Sequence, residues 1–76
     1  MLAATIKEFA RKTPFVPFVV QMNGGRRFSI EQPDFISVSP KGGKLVVYDA
    51  DENETHLSGL LVASVAPIDK GKARLG

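Results

Sequence analysis

The sequence has no cysteine, no tryptophan, a single tyrosine and a single histidine. Without cysteine no disulfide can form, and a structural zinc site loses its thiolate ligands. The lone His56 would need carboxylates beside it to hold a metal. No apolar run approaches the eighteen or so residues that a membrane-spanning helix requires. The opening stretch Met1 to Phe9 meets an acid at Glu8 and has no unbroken apolar core. It does not read as a secretory leader, and a cytoplasmic location is expected.

Charge of one sign is also scarce. The formal net charge is +2, and Lys70, Lys72 and Arg74 against Asp69 carry that whole surplus. The remainder is balanced, so a mild basic excess at one end reads first as solubility. A chain of 76 residues makes one domain. At that size the apolar core is small and the isolated monomer is marginal. With no disulfide to help, association of subunits is the expected aid, and a homo-oligomer is the expected state.

What the sequence does have is a set of short apolar pieces cut by proline and glycine. Leu2, Ile6 and Phe9 fall at i, i+4 and i+7, while Lys7, Glu8, Arg11 and Lys12 point elsewhere. This spacing predicts a helix over residues 2–12, stopped by Pro14. A helix this short is marginal alone, so its stripe is expected to pack on a sheet near Phe35–Val38. Phe15, bracketed by Pro14 and Pro17, is expected to plug the end of a barrel.

Phe18 to Met22 alternates as a strand, and Asn23-Gly24-Gly25 follows as a hairpin turn leading into a second strand, Arg26 to Glu31. Pro33 cannot donate to a ladder and marks a strand end or bulge. Phe35 to Val38 resumes, Pro40-Lys41-Gly42-Gly43 turns, and Leu45-Val46-Val47-Tyr48 is apolar on both faces. Thr55-His56-Leu57 starts another strand, Ser58-Gly59 bends it, and Leu60 to Ala66 is read as the last. The expected fold is mainly β: an N-terminal helix followed by a small, strongly bent five-stranded antiparallel barrel of Sm-like or SH3-like form. The alternative is an open four-stranded sheet with one helix. Residues 1–68 form the expected domain, with strands within 18–67, and 69–76 a flexible basic tail.

Arg11 to Phe18 (Arg-Lys-Thr-Pro-Phe-Val-Pro-Phe), Asn23 to Phe28, Gln32-Pro33-Asp34-Phe35-Ile36 and the closing Leu60 to Ile68 together resemble a family of short bacterial proteins of unassigned function. Its members run as a helix, an Arg-x-Pro-Phe-x-Pro-Phe segment and short strands. More distantly, a helix followed by bent strands is similar to the Sm-like barrel, whose members form rings and often bind single-stranded RNA. That resemblance implies a barrel and ring assembly.

Chemistry-bearing patterns are few. Asp49-x-Asp51-x-Asn53 starts like a calcium loop, but Glu54 and Leu60 stand where that loop needs Gly and Glu. His56 with Glu54 or Asp51 has the residue types of an acid–base pair, with no enclosing pocket expected around it. Asn23-Gly24-Gly25-Arg26 and Lys41-Gly42-Gly43-Lys44 lack the spacing of a phosphate loop and read as turns. No catalytic residue, cofactor or metal is assigned. The expected function is a non-catalytic barrel module working by self-association and protein interaction, through Leu45, Val46, Val47 and Tyr48 or Leu60, Leu61 and Val62. The alternative is single-stranded nucleic-acid binding by Arg26, Arg27, Lys41, Lys44, Lys70, Lys72 and Arg74.

Overall fold

A computed structural model describes residues 2–68. Helix α1 spans Ala3–Arg11. Six strands follow: β1 Phe18–Met22, β2 Arg27–Ile30, β3 Ile36–Val38, β4 Lys44–Tyr48, β5 Glu54–Ser58 and β6 Val62–Pro67. They form two separate three-stranded antiparallel sheets, ordered β2-β1-β6 and β3-β4-β5.

The barrel expectation is therefore corrected. Neither sheet is closed, and no ladder joins them. The open four-stranded sheet is corrected with it. The cause is local. Pro33–Phe35 and Gly59–Leu61 each form a 3-10 turn, at the two places where the chain passes between sheets. Pro33 has no N–H to give a ladder, so β2 stops and β3 starts afresh rather than running on as one bent strand. Gly59–Leu61 separates β5 from β6 in the same way.

Both sheets nevertheless pack on one core. Phe18, Val20 and Ile30 from the first sheet, Leu45 and Val47 from the second, and Ile6 from α1 belong to a single buried cluster. Strand β1 is buried at alternate residues, as its sequence alternation predicts. Along β4, Leu45 and Val47 face in, while Val46 and Tyr48 are half-buried on the outer side. Of the stretch Phe35 to Val38, Phe35 lies in the 3-10 turn and Ile36 begins the strand.

Helix α1 rests on β3 and also on β6. Phe9 stacks tilted on Phe18 with ring centroids 5.2 Å apart. Phe15 meets Phe18 edge-on at 6.0 Å, so the proline-bracketed phenylalanine does cover the core beside the helix end. Lys7 Nζ donates to the Pro40 carbonyl at 3.1 Å, tying the polar side of the helix to the β3–β4 turn. No helix among the described residues is long and apolar enough to cross a membrane.

Candidate functional site

The 3-10 turn Gly59–Leu61 is the joint between the sheets, and it is fixed by backbone bonds on both sides. Gly59 N–H donates to the Gly43 carbonyl at 2.9 Å, in the turn before β4. Asn23 N–H donates to the Leu61 carbonyl at 2.7 Å, at the end of β1. Ser58 Oγ caps the turn by accepting from Leu60 N–H at 3.3 Å. A side chain on Gly59 would run into the carbonyl oxygen of Gly42, so glycine is what lets the two backbones approach.

Because its backbone is held on both flanks, this turn presents its side chains outward. Leu60 and Leu61 are 71% and 53% exposed, the large apolar side chains left in solvent among the described residues. Between Leu61 and strand β5 lies an open cleft of about 350 Å³. Met22, Asn23 and Arg26 of the β1–β2 hairpin form one wall, and His56 and Leu57 of β5 the other. Strand β5 is an edge strand, paired with β4 alone among the described residues. The cleft therefore opens onto unpaired backbone.

The hairpin wall is well specified. Gly25 has φ +96°, which favours glycine, and its N–H donates to the Met22 carbonyl at 2.9 Å. Met22 N–H in turn donates to the Arg26 carbonyl at 2.8 Å. The Arg26 guanidinium stands over the Phe28 ring, 4.8 Å from its centroid. A broader groove of about 680 Å³ runs over the β3-β4-β5 sheet, with Ser37, Ser39, Lys44, Val46, His56 and Ser58 among its lining residues. His56 and Ser58 thus border both depressions.

The self-association residues divide sharply. Leu45, Val47 and Val62 lie in the protein's own core, at 0%, 7% and 9% exposure. Val46 and Tyr48 are half-buried on the outer sheet face, and Leu60 and Leu61 project from the joint. The functional expectation built on a closed barrel is corrected here: there is no barrel rim to pair, and the inward apolar face of β4 is already covered from within.

The nucleic-acid alternative is corrected as well. Arg26 and Arg27 belong to the first sheet's hairpin, while Lys41 lies in the second sheet's β3–β4 turn and Lys44 begins β4. Lys41 and Lys44 line one depression with Ser39 and Pro40, and Arg26 lines a different one, so the cations do not make one basic track. Lys70, Lys72 and Arg74 lie outside the described residues.

His56 Nε2 and Glu54 Oε1 are 3.0 Å apart, both largely in solvent. Ser58 Oγ is turned toward the joint rather than to the imidazole. The Asp49-x-Asp51-x-Asn53 stretch is closed on itself. Asp49 Oδ1 accepts from the N–H groups of Asp51 and Asn53 at 2.8 and 3.0 Å, and Oδ2 accepts from Asn53 Nδ2 at 3.1 Å. The Asn53 backbone and side-chain donors, with the Asp51 amide, hold the Asp49 carboxyl below the usual carboxylate range. Among the described residues no three His, Asp or Glu side chains gather as a metal site would need.

No protein-family model, no curated protein and no solved structure matches the chain.

Proposed function

We propose that the chain is a non-catalytic interaction module that takes one extended segment of another protein along the open edge of β5. The observation that carries this reading is the pair Leu60 and Leu61, exposed at a pinned joint beside an edge strand. An edge strand offers unpaired N–H and C=O groups at strand spacing. An added strand satisfies them, and neighbouring apolar side chains supply affinity and choice of sequence.

The cleft favours a bare strand as occupant over a second folded copy. Its far wall is the Asn23-Gly24 turn, which stands beside β5 and leaves about 350 Å³ between them. That is the small end of the ~300–1,000 Å³ range of clefts that hold ligands. The exposed His56–Glu54 pair, with no hydroxyl oriented on it, supports a binding role over a catalytic one. A cytoplasmic setting belongs to the same reading.

Selection of displayed peptides with alternating apolar and polar positions tests it directly. The best binder, resynthesised, should shift the amides of His56, Leu57, Met22, Asn23 and Leu61, and Leu61→Ser should abolish binding without moving the unfolding midpoint. A selection that enriches nothing, or shifts confined to other surfaces, overturns the reading. So does a stable dimer in light scattering whose β5 amides are already protected, because the edge would then belong to a second copy.

A further inference from the structure

We infer that the segment received at the β5 edge carries an acidic side chain, and that Arg26 is the residue that selects it. This rests on the strand-addition reading above and names the partner chemistry of that same cleft.

Arg26 opens the second arm of the hairpin whose turn forms one wall of the cleft. Its guanidinium carbon stands over the Phe28 ring, 4.8 Å from the centroid, a cation–π contact that restrains an exposed side chain. A ring contact of this kind leaves N–H groups of the five-donor guanidinium for other partners. Those N–H groups form the fork that matches a carboxylate with two parallel bonds. An arginine held this way loses less freedom on pairing than an unsupported lysine would.

The surroundings complete the charge argument. Apart from Arg26, the cleft is lined by apolar Met22, Leu57 and Leu61, by Gly24, by polar Asn23 and Ser58 and by His56, with no carboxylate on its wall. The nearest acid along β5, Glu54, is engaged with His56 Nε2 at 3.0 Å. Among the described residues no ion pair is made by Arg26. A cation on the wall of a cleft with no carboxylate among its lining residues favours an incoming Asp or Glu and disfavours an incoming Lys or Arg. Apolar side chains of the same segment would meet Leu57 and Leu61, since alternate residues of an added strand point to opposite faces.

The test uses three capped seven-residue synthetic peptides, identical in alternating Val/Leu and Ser except for one polar position occupied by Asp, Asn or Lys. Fluorescence anisotropy with the full chain should give binding of the Asp peptide about fivefold tighter than the Asn peptide, as for a partly exposed ion pair near 1 kcal/mol. The Lys peptide should be weakest, and the spread should narrow as salt is raised. Arg26→Gln should remove the difference between the Asp and Asn peptides, so that the two bind equally whatever their common affinity becomes. Arg26→Lys should keep a reduced preference for Asp, which separates loss of charge from any disturbance of the hairpin. Equal binding of the Asp and Asn peptides by the wild type, or an undiminished preference in Arg26→Gln, overturns the acidic selectivity while leaving strand addition in place. If none of the three peptides binds, both readings fall.

Discussion

At the scale of single residues, Gly59 carries the most structural consequence. It is buried, its N–H bonds to Gly43, and the position of a Cβ there is already occupied by the Gly42 carbonyl oxygen. Backbone cannot step aside as a flexible side chain can, so Gly59→Ala must push the β3–β4 turn away from the joint. Overpacking of that kind costs about 1–3 kcal/mol. Total stability for a natural domain is only about 5–15 kcal/mol. Denaturant unfolding should therefore show a clearly lowered midpoint for Gly59→Ala. Gly24→Ala is the control: nothing lies within 4 Å of its Cβ position, and its midpoint should stay within about 0.5 kcal/mol of wild type. Equal midpoints for the two variants would remove the joint from the account.

Asp49 supplies a second test at the same scale, with a defined sign. Its folded-state pKa is depressed, chiefly by the Asn53 backbone N–H, then by the Asn53 side chain, with a smaller part from the Asp51 amide. The order these bonds confer is complete above the ordinary carboxylate range and is lost as pH falls through the depressed folded value. Amide shifts of Asp51 and Asn53 followed by NMR should move together, with a midpoint below that of an unperturbed aspartate. A midpoint at or above the ordinary value would mean that the carboxylate is not holding the loop.

At the scale of elements, the chain was legible wherever the signal is local. The i, i+4, i+7 stripe places Ile6 in the core, the alternation through Phe18, Val20 and Met22 gives β1, and Asn23-Gly24-Gly25 gives a hairpin with Gly25 at positive φ. What the sequence concealed is whether the chain keeps its ladder through a bend. Pro33 and Gly59 look alike whether they kink one strand or end it, because the answer depends on pairings with distant residues. Leu60-Leu61-Val62 shows the cost. Read as the start of a strand, three consecutive apolar residues imply a segment covered on both faces. In the structure the first two belong to a 3-10 turn and only Val62 is buried. A clue was available in Ser58-Gly59, where a hydroxyl can accept from an N–H two residues on and end the strand. The cleft had no such clue, since Met22, Arg26, His56 and Leu61 come together only through the fold.

At the scale of the whole molecule, each sheet has one strand paired on both sides and two edges. β1 lies between β2 and β6, and β4 between β3 and β5. The fully buried Phe18, Val20 and Leu45 sit on those two central strands, so packing and backbone pairing coincide there. Opening free energy in a native protein follows such coincidence, rising from near zero at edges toward the global value in central strands. Amide hydrogen exchange should therefore be slowest in β1 and β4 and faster in β5, whose outward-facing groups meet the cleft. Addition of a peptide chosen for the β5 edge should slow exchange in β5 and leave the edges β2 and β3 as they were. That pattern ties the slowing to one edge, where general stabilisation by a bound ligand would slow every strand that opens only by global unfolding. Slowing centred on β6 or β2 would place the partner on the other sheet. Protection in β5 that matches β4 before any peptide is added would mean that the edge is already paired, and the receiving surface would have to be sought elsewhere.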